Sequence, residues 1–185
     1  MKIGVFVGSF NPVHKGHIKI ANYIVSNYVD KVIIIPTGNY WNKTNLVDIK
    51  DRINMLKFYE NDKIIINNTL NNLEYTYEVI NELKKIYKDD KLYLIMGADN
   101  IVNFDKWRNY AELLKIGFII FKRNDIDINY YLDKLNKKND VIIIDNVEEI
   151  NISSTEIRNM IKDNKNLDNL LDKKVIDYIK NNNLY

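Results

Sequence analysis

Gly8-Ser9-Phe10-Asn11-Pro12-Val13-His14-Lys15-Gly16-His17 is the stretch on which the fold turns. It follows an apolar run, Ile3 to Val7, that reads as a buried strand, and it precedes Ile18 to Val25, which reads as a helix. A glycine-punctuated turn between a strand and a helix is where an α/β protein holds phosphate groups. The helix start offers unpaired N–H donors and the positive end of its dipole, and a small residue lets a ligand approach the backbone. The two histidines of the chain, His14 and His17, both fall in this turn. Their spacing at a helix entrance lets both rings face one bound anion. The stretch therefore reads as a nucleotide-phosphate site.

Working outward, strand-like runs recur at Lys2–Val7, Lys31–Pro36, Ile64–Asn67, Leu92–Gly97, Gly117–Lys122 and Val141–Ile144. Helical periodicity separates them at Ile18–Val25, Leu46–Tyr59, Tyr75–Tyr87, Tyr110–Lys115 and Tyr130–Leu135, and the chain ends on Ser154–Lys162 and Lys173–Lys180. Alternation of this kind predicts an α/β fold: a single doubly wound, Rossmann-like domain over residues 1–185, with a mostly parallel sheet of about six strands and a helical C-terminal end. Val32 to Ile35 and Val141 to Ile144 are apolar without alternation, as strands covered on both faces should be. Ligands of such sheets bind beyond the carboxyl ends of the strands. That singles out Gly8 to His17, Thr37 to Lys43, Gly97-Ala98-Asp99, Arg123 and the segment after Asp145. The dinucleotide fingerprint and the Walker A sequence are both absent.

Composition narrows the field of functions. A hydrophobic fraction of 46% and a charged fraction of 28% suit an ordinary globule, and 185 residues suffice for a full core. A net charge of +2 argues against a nucleic-acid or membrane surface. Zero cysteines exclude disulfides and thiolate metal sites and fit a cytoplasmic location. The first residues predict no secretory signal, and no apolar run approaches bilayer length. Oligomeric state is not legible.

A second motif closes the argument. In Ile152-Ser153-Ser154-Thr155-Glu156-Ile157-Arg158, Ser153 reads as a helix N-cap and Glu156 as its reciprocal partner, with Ile152 and Ile157 as a hydrophobic staple. Hydroxyls and N–H groups at this helix start, with Arg158 one turn in, form a second anion cradle.

With these residues in view, the chain resembles the nucleotidyltransferase superfamily that carries an HxGH turn near the N-terminus and an ISSTxxR helix near the C-terminus. Within it the chain is similar to the bacterial nicotinate-nucleotide adenylyltransferases, from Lys2 to about Lys162. Tyr75-Thr76 opening a helix, Met96-Gly97-Ala98-Asp99 ending a strand, Trp107, and Ile119-Ile120-Phe121-Lys122-Arg123 carry the finer likeness. Two departures stand out. Asn11 occupies a position that is usually Asp, and Asn39-Tyr40-Trp41-Asn42-Lys43 keeps only the final lysine of the usual loop. A similar Ser-Phe-Asn-Pro turn occurs in relatives acting on the nicotinamide nucleotide, so that acceptor stays open.

The resemblance implies a reaction in which the 5′-phosphate of a pyridine mononucleotide attacks the α-phosphorus of ATP and pyrophosphate departs. A phosphate monoester is largely ionised at neutral pH, so no general base is required. Alignment and charge stabilisation are what the reaction needs. The resemblance implies that His14, His17 and Arg158 are catalytic. It places ATP at Gly8, Ser9, Phe10, Gly16, Gly97, Asp99, Ile152, Ser153, Ser154 and Thr155, and the acceptor at Asn39, Lys43, Tyr75, Thr76, Trp107 and Arg123. On their own residues, Asp99 reads equally as a helix cap, Trp107 as a core residue, and Lys43 and Arg123 as exposed bases. Mg²⁺ is implied, held mainly by the ATP phosphates, with no protein metal site. Phosphopantetheine adenylyl transfer, cytidylyl transfer and a non-catalytic nucleotide sensor are the competing readings. Free N–H groups where Thr76 starts its helix favour an anionic ring substituent, and thus nicotinate over nicotinamide.

Overall fold

The structure, a computed structural model, describes residues 1–38, 46–123, 125–145 and 153–185. Its strands are β1 (Lys2–Gly8), β2 (Lys31–Pro36), β3 (Ile64–Ile66), β4 (Lys91–Gly97), β5 (Gly117–Phe121) and β6 (Val141–Ile144). They form one sheet in the order β3-β2-β1-β4-β5-β6, and every neighbouring pair runs parallel. The mostly parallel sheet of the sequence reading is therefore wholly parallel among the described residues. β1 is central, with Phe6 beside Ile34 of β2 on one side and Ile95 of β4 on the other.

The helices are α1 (Lys15–Asn27), α2 (Ile49–Lys57), α3 (Thr76–Ile86), α4 (Ala98–Ile101), α5 (Tyr110–Leu113), α6 (Ile128–Lys134), α7 (Ser154–Lys162) and α8 (Lys173–Asn181). Alternation along each strand divides the core in two. Phe6, Ile34, Ile95 and Ile119 face the layer built by α1, α2, α7 and α8. Val5, Ile33, Ile35, Leu94 and Ile120 face α3 to α6. A right-handed crossover puts the helix on one face while the chain steps one way across the sheet, and on the other face once it steps back. The step back is the return from β3 to β4 through α3. The order therefore reverses between β1 and β4, and a crevice opens beyond their carboxyl ends.

Several boundaries shift by a residue or two, and three differences from the sequence reading have a plain local cause. α1 begins at Lys15, three residues before Ile18, because the histidine turn itself is helical. α2 is shorter than Leu46–Tyr59, since the Asp48 carboxylate accepts the Lys50 N–H at 2.7 Å and starts the helix there. α4 and a single 3₁₀ turn at Phe104–Lys106 follow β4, where four or fewer residues give no periodicity to read.

Candidate functional site

His14 is the N-cap of α1 and His17 its third residue. The His17 N–H donates to His14 Nδ1 at 3.4 Å, and the His14 N–H donates to His17 Nδ1 at 3.3 Å. This is a capping box made of two imidazoles instead of a hydroxyl and a carboxylate. The rings stack at 3.6 Å between centroids. Because each Nδ1 accepts a backbone proton, each ring carries its own proton on Nε2. Burial, and then the positive charge of Arg123, push the His14 pKa down to about 4. Burial, then His14, then Arg123 hold His17 well below the usual histidine value. At neutral pH the pair is thus two uncharged Nε2–H donors. The N–H of Lys15 is taken by the Leu170 carbonyl at 3.0 Å.

The back of the turn is fastened from three directions. Arg52 of α2 is fully buried, and its Nη1 donates to the carbonyls of Ser9 and Thr37 at 2.7 Å each while Nε donates to that of Val47. Asn11, 2% exposed, accepts the Val47 N–H at 3.2 Å and the Tyr185 hydroxyl at 2.9 Å on Oδ1. Burial raises the Tyr185 pKa, so its hydroxyl stays a donor. Phe10 takes a left-handed backbone (φ 46) and sets its ring edge-on to Phe6 and His17, at 5.3 and 4.9 Å. A bulky residue rarely adopts that conformation, and here the aromatic contacts offset its cost.

α7 docks against the same turn. Ser153 caps it, with its Oγ accepting the Glu156 N–H at 3.1 Å. Glu156 accepts the Ser153 hydroxyl at 3.3 Å and not its backbone N–H, so the reciprocal box expected from the sequence is replaced by a side-chain pair. Ser154 Oγ donates to the Pro12 carbonyl at 3.0 Å. Arg158 donates to the Asn11 carbonyl at 2.9 Å and to Thr155 Oγ1 at 3.0 Å.

Two adjoining cavities open at the carboxyl end of β1. The first, about 300 Å³, brings together Gly8, Phe10, His14, Gly16, His17, Gly97, Asp99, Trp107, Arg123, Ser153 and Ser154. The second, about 360 Å³, brings together Gly8, Ser9, Tyr75, Thr76 and Trp107. Ser9 borders only the second cavity and Arg123 only the first. Thr155 and Arg158 line neither cavity, because their side chains are bonded to each other and Arg158 also to the turn. Asn39, Lys43 and Ile152, and with Ile152 the staple, lie outside the described residues. Asp99 is in the first turn of α4, whose cap is Gly97, so the cap reading of Asp99 fails. A β-carbon on Gly97 would lie 2.5 Å from Asp99 Oδ1, so only glycine lets that carboxylate sit there. Trp107 packs tilted against Phe104 of the core, 5.1 Å between ring centroids, and still borders both cavities.

Sequence reasoning missed Asn100, shared by both cavities, Lys122 in the first, and Lys106 and Arg108 in the second. Arg52 had a signal: a charge on the apolar stripe of Ile49, Ile53 and Leu56. Tyr185 had none.

The cytidylyltransferase-like family profile matches residues 5–160. The chain is 42% identical, over 95% of each sequence, to a protein of Fusobacterium nucleatum named a probable nicotinate-nucleotide adenylyltransferase. It is 39% identical to a Borrelia garinii protein of the same name, covering all of this chain and 95% of the relative. Its fold matches that of a Plasmodium falciparum nicotinic acid mononucleotide adenylyltransferase with a TM-score of 0.83, at 24% identity over all of this chain and 97% of the other.

The buried histidines make stability fall with acid. Below the unfolded value near 6.5 the unfolded chain takes up protons that the folded rings refuse, so stability present above pH 6.5 is lost as pH falls toward about 4. The slope is at most about 1.4 kcal/mol per pH unit from His14. Urea unfolding at pH 7, 5.5 and 4.5 checks this. His14→Asn, which keeps a capping oxygen without a titrating ring, is expected to flatten the fall, and an unchanged slope would contradict the assignment.

Proposed function

The chain belongs to the cytidylyltransferase-like family, and we propose that it transfers the adenylyl group of ATP to the 5′-phosphate of nicotinate mononucleotide, giving deamido-NAD and pyrophosphate. The observation that carries this reading is the pair of cavities meeting at Val7 and Gly8, one bordered by the histidine pair and the other by the start of α3. A nucleotide triphosphate suits the first and a pyridine mononucleotide the second, so nucleophile and electrophile meet where the cavities join. By this reading residues 1–185 act as one nucleotidyltransferase domain in the cytoplasm. No helix among the described residues is long and apolar enough to cross a membrane. The partners are the two nucleotides.

The chemistry follows from the donors. An oxygen of the acceptor phosphate attacks the α-phosphorus, the bond to the bridging oxygen breaks, and pyrophosphate leaves with the electron pair. No proton need be removed from the nucleophile, which fits two histidines whose pKa values are too low for them to be charged at neutral pH. Their Nε2–H groups, with Lys122 and Arg123 beside them, stabilise charge growing on the phosphates. Arg158 would exchange the Asn11 carbonyl for the outer phosphates, while Ser153, Ser154 and Thr155 present the start of α7. Asp99 would hold a ribose hydroxyl and Trp107 would stack on the pyridine ring. Asn39, Lys43 and Ile152 keep the roles that the resemblance implies. No group of three His, Cys, Asp or Glu side chains among the described residues is arranged to hold a metal ion. By this reading Mg²⁺ would enter on the ATP phosphates as part of the substrate.

The acceptor preference has a structural basis at α3. Glu78 accepts the N–H groups of Glu74 and Tyr75 at 3.1 Å, which leaves Thr76, the first helical residue, bordering the cavity at the positive end of the helix. Asn11, the residue that kept the amide open, borders neither cavity and is spent on Val47 and Tyr185. Product analysis with ATP and a panel of acceptor phosphates tests the proposal. A kcat/KM at least tenfold higher for nicotinate than for nicotinamide mononucleotide is expected, and turnover of phosphopantetheine alone would overturn it. His17→Ala is expected to lower kcat by roughly 10²–10³, the usual effect of losing one transition-state donor, with little change in the KM for ATP. Steady-state kinetics decide this, and turnover within a few fold of wild type would remove His17 from the mechanism.

A further inference from the structure

We infer that Arg108 is the specificity-determining residue of the second cavity: its guanidinium reads the ring carboxylate of the acceptor. The inference rests on the proposed reaction and adds a side chain to which that reading assigned no role. The second cavity carries two cations, Lys106 and Arg108, and one carboxylate, Glu74. Burial, then the charge of Glu74 and a hydrogen bond to its carboxylate, raise the Tyr75 pKa, so Glu74 is engaged with its neighbour. Glu78, just behind, is committed to the N–H groups of Glu74 and Tyr75. The acidic groups at this end of the site are thus engaged with the protein itself. Arg108 makes no hydrogen bond or ion pair to any described residue. Its guanidinium lies over the Tyr75 ring, 5.8 Å from the centroid.

That placement selects an anion of a particular shape. A guanidinium over an aromatic face has part of its orientation fixed in advance while its N–H edge stays available. The edge matches a carboxylate with two parallel N–H···O bonds, a match that a neutral carboxamide cannot make, because one of its two positions is itself a donor. The chain order supplies the direction. Trp107 borders both cavities, whereas Arg108, the next residue, borders only the second. Asn109 then turns the chain away through a left-handed backbone (φ 51). A pyridine ring stacked on the indole from the second cavity therefore has Arg108 and the start of α3 at the same end, so its ring substituent meets a positive side chain and a helix N-terminus together.

Arg108→Gln separates this role from its alternatives. The residue is exposed, and the variant is expected to keep the melting temperature of the wild type. Its kcat/KM for nicotinate mononucleotide should fall tenfold or more while that for nicotinamide mononucleotide stays within about twofold, so the ratio between them collapses. Arg108→Lys, which keeps the charge without the fork, should recover only part of the ratio. An equal loss on both acceptors would overturn the inference by placing Arg108 on the phosphate or ribose that they share. An unchanged ratio would overturn it by leaving discrimination to the backbone of α3. A wild-type protein that adenylylates neither mononucleotide is a different result, since it removes the proposed function before Arg108 is tested.

Discussion

Two imidazoles capping one helix is the constraint on which the rest of the site depends. The start of α1 needs acceptors for its first N–H groups, and His14 and His17 supply them to each other through Nδ1. Satisfying the backbone in this way fixes the tautomer of both rings, stacks them, and leaves Nε2–H as the group not used by the fold. Burial beside Arg123 then keeps both rings neutral. A structural requirement of the helix and a chemical requirement of phosphate binding are met by opposite nitrogens of the same two rings. A carboxylate cap would start the helix equally well but would present no donor to the cavity.

The surrounding architecture holds that turn from behind. Its carbonyls at Ser9, Asn11 and Pro12 are taken by Arg52, Arg158 and Ser154, which come from α2 and α7. Buried carbonyls left unpaired cost about 1–3 kcal/mol each, so the three contacts fix the loop more firmly than its own sequence could. Those helices lie on one face of the sheet and α3 lies on the other, so the doubly wound topology sets the two cavities on either side of the end of β1. The family profile ends at residue 160, yet Leu170 and Tyr185 still contact this turn, and the C-terminal segment belongs to the support of the site.

The parts legible in the sequence are those decided locally. β2 and β6 were readable to the residue because strands flanked by helices on both faces are unbroken runs of Val and Ile, fully buried in β2 and half-buried along the edge strand β6. The Ser153 cap was readable because capping chemistry is confined to four consecutive positions, whereas the reciprocal cap of His14 and His17 was not read from their spacing. What was not legible depends on distant contacts. Arg108 and Lys106 look like ordinary surface bases until the chain folds them onto the same cavity as Tyr75 and Thr76. Asn11 looked like a clue to the acceptor, and only its burial against Val47 and Tyr185 shows that it serves the turn. Arg158 was readable as part of a motif, but its bonds to Asn11 and Thr155 were not.

Long-range ¹H–¹⁵N correlation spectra of the histidine side chains test the central claim most directly. The account predicts that at pH 6 both rings are neutral, with Nδ1 resonating as an unprotonated acceptor and Nε2 as the protonated nitrogen, and that adding ATP shifts Nε2 without moving the proton. An imidazolium at that pH, or a ring protonated at Nδ1, would contradict the reciprocal cap and the neutral donors built on it.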